Sequence, residues 1–141
     1  MDGMISDAFW ADRLAPSLDD LELLARKAFD DLPEAFRALV GEVTFAVAEF
    51  PDNDALDELG LESPFDLLGL FQGIGMTEAP ATAPTGAMPN RIWLYRRPIL
   101  DYWAEHEETL GAIVSHVLVH EIGHHFGLSD DDIEAIEAAA E

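Results

Sequence analysis

This 141-residue sequence predicts a chain that mixes helices and strands, and three stretches carry the prediction. Glu42 to Phe50 alternates, with Val43, Phe45 and Val47 set against Thr44, Ala46 and Ala48, the period-two pattern of a strand with one apolar face. Arg91 to Arg97 is rich in β-branched and aromatic residues and is the clearest strand. From Leu110 to Phe126, apolar residues fall nearly all round a helix: Ile113, Val114, Val117, Leu118, Val119 and Ile122. A helix of that kind is expected to be buried.

The remaining elements follow in order. Residues 1–16 read as a loosely attached lead-in, with Phe9, Trp10 and Leu14 available to dock. Ser17 then caps a helix, with Asp20 at the capping-box position and Leu21, Leu24, Ala25, Ala28 and Phe29 as its apolar stripe. Pro33 ends or restarts that helix, and Phe36, Leu39 and Val40 continue an apolar face to Gly41. Pro51 to Asp54 forms a turn into a short helix ending near Gly60, and Phe65 to Gly73 predicts a short strand. Residues 75–90 are rich in Pro, Gly, Thr and Ala without periodicity and read as a flexible loop. Pro98 is expected to stop the second strand and open a helix through Leu100, Tyr102 and Trp103. The buried helix is expected over about Glu108 to Phe126, and a last short one from Asp131 to Glu141, with Ile133 and Ile136 turned inward. Nothing in the pattern divides the chain, so one domain over 1–141 is expected.

The polar stripe of the buried helix carries His116, His120 and His124, flanked by Glu121. His120 to Asp130 spells H-E-x-x-H-x-x-G-x-x-D. Residues four apart on a helix lie one turn above each other, so His120 and His124 can point two imidazole nitrogens at one metal ion. Glu121 sits beside the pair, where a carboxylate can act as general base towards water. Gly127 allows the chain to leave the helix in a left-handed conformation. The turn then returns Asp130 towards the histidines as candidate third ligand. Three protein ligands with one open position is the layout of a catalytic zinc site.

Composition narrows the partners. A net charge of −22 argues against nucleic acid and against an anionic membrane surface, since both need clustered Lys and Arg. With no cysteine, disulfides and thiolate-bound zinc are excluded. Met1 to Leu14 carries Asp2, Asp7 and Asp12 and no long apolar run, so no signal peptide is expected and the protein is placed in the cytoplasm.

These residues resemble the small bacterial zincin-like metallopeptidases, the minimal zincins, over roughly residues 18–136. The carriers are the Leu32-Pro33 step, Leu67 to Gly73, Pro89 to Pro98 and, above all, Val119 to Asp131. The resemblance implies a zincin-like α+β fold, with a small mixed sheet packed on an upstream helix and the motif helix. It also implies Zn2+ held by His120, His124 and Asp130, Glu121 as the catalytic carboxylate, and a peptide or protein substrate. After Asp130 the sequence contains no methionine, whereas larger relatives place a methionine turn beneath the metal. The floor of the cleft is therefore expected to be minimal.

Individual residues have alternative roles. Asp130 precedes a helix in which Asp131 and Glu134 read as a capping box, so capping is its other role. Glu134 or Glu137 is an alternative carboxylate ligand, although the connection looks short. His125 points away from the ligand pair and is expected to pack. His116 shares the ligand face one turn earlier and is expected to support the ligands rather than join them. Arg96 and Arg97 are expected to pair with Asp101 or Glu105, and Tyr95 to pack. Arg91 to Arg97 is the candidate edge for an extended substrate. The rival to a peptidase is a zinc-binding structural or interaction module.

Overall fold

The computed structural model describes residues 9–73 and 90–140. The first half of the expected lead-in and the expected loop, up to residue 89, lie outside those residues. Helix α1 spans Leu18–Asp30 and α2 Glu34–Val40, followed by strand β1, Val43–Ala48. Helix α3, Asn53–Leu59, and a 3-10 turn, Pro64–Asp66, precede strand β2, Gly69–Gln72. Strand β3, Asn90–Tyr95, runs into α4, Arg96–Glu105. Helices α5, Leu110–His125, and α6, Asp130–Ala140, complete the order. The fold is α+β, with a small three-stranded mixed sheet as expected.

Local signals set most boundaries. The Ser17 hydroxyl accepts from the Asp20 amide at 3.1 Å while Asp20 accepts from the Ser17 amide at 2.8 Å, so both halves of the expected capping box form. Helix α4 begins at Arg96, two residues before Pro98, so the strand expected to run to Arg97 ends at Tyr95 and the proline lies inside the helix it was expected to open. In the first turn of a helix a missing N–H costs no hydrogen bond, so Pro98 sits comfortably inside.

The sheet order is β1-β3-β2, with β1 parallel and β2 antiparallel to β3. Strand β3 is therefore hydrogen-bonded on both sides. This overturns Arg91 to Arg97 as a docking edge for substrate, because the amides an extended peptide needs are already engaged. Arg96 also departs from expectation. It pairs with Glu49 at 3.0 Å and donates to the Pro16 carbonyl, rather than meeting Asp101 or Glu105. Parallel pairing brings the ends of β1 and β3 together and puts Glu49 beside it.

One face of the sheet supplies the main core. Ile92 and Leu94, both fully buried, are in register with Phe45 and Val47 of β1, and Phe71 of β2 lies opposite Ile92. Against them pack Leu21 and Ala25 of α1 and Val114, Leu118 and Ile122 of α5. Burying each such aliphatic side chain contributes about 1.5–3 kcal/mol. The opposite face carries a smaller cluster of Leu56, Leu67 and Tyr95.

Tyr95 is 4% exposed and stacks on Trp93 with ring centroids 6.3 Å apart, the packed role expected of it. Burial, and then the charges of Asp52 and Glu121, push its hydroxyl up to about 12. In the unfolded chain a tyrosine ionises near 10, so above that pH the unfolded state has released a proton that the folded state keeps. Stability is thus complete below pH 10 and is expected to fall by on the order of 2–3 kcal/mol as pH rises to about 12. Denaturant unfolding below and above this window should show the decline in the wild-type chain and a smaller one in Tyr95→Phe.

Candidate metal centre

Helix α5 is built to carry a polar stripe over a buried body. Thr109 caps it, accepting from the Ala112 amide at 3.1 Å, and seven of its residues from Ile113 to Gly123 are buried. The stripe itself lies along the surface. His116 and His124 are exposed, His120 keeps 33% of its side-chain area, and no polar residue among those described is fully buried. The helix is buried as expected, but its histidines are not: the sheet and α1 cover the apolar flanks and leave them at the rim.

The helix ends as its sequence requires. The Leu128 amide reaches the Gly123 carbonyl at 2.9 Å and the Gly127 amide the His124 carbonyl at 3.1 Å, with Gly127 at φ 77°. A left-handed residue at this point closes the last turn and reverses the chain. Helix α6 is then capped by Ser129 and Asp132: the Asp132 amide donates to the Ser129 hydroxyl at 3.1 Å, and the Ser129 amide donates to Asp132 at 3.3 Å. The capping box expected at Asp131 and Glu134 lies two residues earlier, because the reversal at Gly127 lets the helix start sooner. Asp130 is the first helical residue and is not the cap.

Helix α6 returns along α5. Ile133, fully buried, lies where a Cβ on Gly123 would come within 2.7 Å of it, so only glycine lets the two helices approach this closely. One turn further, on the same face of α6, is Glu137. Its Oε1 lies 3.0 Å from His116 Nδ1 and 3.1 Å from His120 Nε2. Both distances suit an ion pair, yet this buried oxygen has no aligned hydrogen bond among the described residues. The three ligand atoms lie within 4.8 Å of one another. Imidazole nitrogens and a carboxylate oxygen are donors suited to zinc. Two ligands about 2.0–2.1 Å from a tetrahedral zinc stand roughly 3.3 Å apart, close to the 3.0 and 3.1 Å that separate Glu137 Oε1 from the two ring nitrogens.

The structure brings His120 together with His116 and Glu137, and His124 and Asp130 fall outside that close set. The His124 ring is 5.7 Å from that of His120, centroid to centroid. Asp130 is exposed at the start of α6, near enough for its charge to act on His120. Burial lowers the pKa of His120, helped by His116 and His124, while Glu137 and Asp130 work in the opposite direction. Glu121 turns towards β2. Burial raises its pKa, and a hydrogen bond from the Phe71 backbone and the nearby His124 restrain the rise. His125 packs as expected, its ring centroid 4.2 Å from that of Phe71.

By sequence the short connection counts against Glu137 as a ligand, yet the structure brings it to His116 and His120. The signal that favours it is its spacing from Ile133, four residues along the inward face of α6. A cleft of about 260 Å³, bordered by Gly69, Tyr102, His116, His120 and Glu121, opens along the stripe. A second of about 390 Å³ lies beyond His116 and Glu137 and includes Lys27, Asp31 and Glu108.

The buried helix thus presents histidines and a carboxylate to a cleft, the donor types of a metal centre. The sequence model of the zincin-like metallopeptidases matches residues 40–140, most of the chain, and the protein belongs to that family. Helix α1 precedes the matched region. No curated protein matches the chain. No helix among the described residues is long and apolar enough to cross a membrane.

Proposed function

We propose that the protein is a zinc-dependent peptidase in which His120, His124 and Asp130 hold the metal and Glu121 is the general base. The observation that carries this reading is the complete H-E-x-x-H-x-x-G-x-x-D motif within the family match, on a helix whose chain turns back at Gly127. Asp130 supports it further, since Ser129 and Asp132 form the cap and leave that carboxylate for another role. Bound zinc would polarise a scissile carbonyl and acidify water. Glu121 then accepts the water proton on a carboxylate oxygen and delivers it to the departing amine nitrogen, so one water is added across one C–N bond. A peptide enters through the cleft bordered by His120 and Glu121.

A second reading draws on the ties between α5 and α6. Metal held by His116, His120 and Glu137 would staple the two helices, and the domain would serve as a zinc-stabilised interaction module. A mixed peptide library incubated with and without chelator separates the two. The peptidase reading expects cleavage that stops on chelation and resumes with added zinc. Loss of folding on chelation, with no cleavage beforehand, would favour the module. The peptidase reading also expects about one zinc per chain by elemental analysis, lost in His120→Ala. A folded chain that takes up no zinc would defeat both.

A further inference from the structure

We infer that His116, His120 and Glu137 form a metal position of their own, which shares His120 with the motif set and excludes it when filled. The site does not depend on whether the motif catalyses hydrolysis, so the two ideas can fail separately. Three observations carry it. The donors come from two elements whose positions are set by packing and not by the donors: α5 is anchored in the core, and α6 is seated on it by Ile133 against Gly123. The donor atoms converge, at 3.0 and 3.1 Å about one oxygen. That oxygen is buried and lacks an aligned hydrogen bond although two ring nitrogens face it. A carboxylate oxygen deprived of water normally takes a proton donor, and one left without is costly. A divalent cation among the three atoms would satisfy it.

The spacing is that of a zinc pair in its own right. His116 and His120 are four apart on one helical face, as are His120 and His124, so the stripe holds two overlapping pairs. His120 belongs to both. Its Nε2 faces Glu137 and has a single lone pair, so it can serve one ion at a time. Metal on the His116 side therefore withdraws His120 from His124 and Asp130. Two neutral imidazoles and one carboxylate leave a zinc ion with one positive charge. Glu108, which lines the cleft beside His116 and Glu137, adds negative potential there, while Asp31 in the same cleft is paired with Lys27 at 2.9 Å. The cation expected is zinc, or another divalent ion that prefers nitrogen and oxygen.

The test is Co2+ binding, followed by its visible absorption, with circular dichroism as the check on folding. His124→Ala leaves the motif set two ligands and this set all three. Both His124 and His116 are exposed, so neither change empties the core. His124→Ala is expected to bind one Co2+ per chain. Adding His116→Ala or Glu137→Gln should weaken binding at least roughly tenfold, which even the loss of an outer-shell partner costs a metal site. Equal affinity of the single and double variants would overturn the inference, as would a folded His124→Ala that binds no metal. Asp130→Asn, also at an exposed position, replaces His124→Ala if that variant fails to fold, with the same expected and contrary results.

Discussion

Glu121→Gln is expected to lower peptide turnover by roughly 10²–10⁴-fold, the range a positioned general base supplies, with metal content per chain unchanged. The substitution keeps the length and shape of the side chain and can still accept the Phe71 amide, but the amide oxygen cannot take up a proton. Glu121 is not among the donors proposed to hold the metal, so zinc should stay. The measurement is initial cleavage rate beside zinc content on the same preparations. Turnover equal to wild type would remove Glu121 as base. Loss of metal together with activity would give it a supporting role in ligation instead.

Ile133→Ala is expected to cost about 2–5 kcal/mol, as for other large aliphatic side chains cut back in a core. Ile133 is fully buried and sits on Gly123, the point of closest approach between α5 and α6. Truncation leaves a void that glycine cannot fill from its side. The unfolding midpoint should drop by roughly 2–8 °C per kcal/mol, while Ile133→Val, which loses one methylene, should cost about 0.5–1.5 kcal/mol. Because Asp130 and Glu137 ride on α6, metal affinity should fall along with stability. A variant as stable as wild type would show that α6 is not held on α5 by this contact.

The motif helix was legible because everything that defines it lies within a few residues. His120 and His124 share a face by helical spacing, Gly127 reverses the chain by its φ, and the Ser17 cap needs only Asp20. The alternation of Val43, Phe45 and Val47 likewise showed which side of β1 meets the core. Such signals are carried by the chain's own backbone geometry, and no distant partner is needed to read them. The capping box of α6 was misread by two residues since Ser129 and Asp131 both suit a cap, and only the path of the turn selects between them.

What periodicity cannot supply is the neighbour. It marks Arg91 to Arg97 as a strand without saying that β1 and β2 flank it, because sheet order is set by how the connections cross. It leaves Arg96 free to choose among local acids, whereas the parallel pairing of β1 with β3 delivers Glu49, 47 residues away. The site divides in the same way. From sequence alone came the helix, its histidines, its acid and the family motif. Only the tertiary structure set α6 against α5 closely enough for Glu137 to reach His116 and His120, because that meeting depends on the packing of Ile133 on Gly123 and on no spacing within either helix.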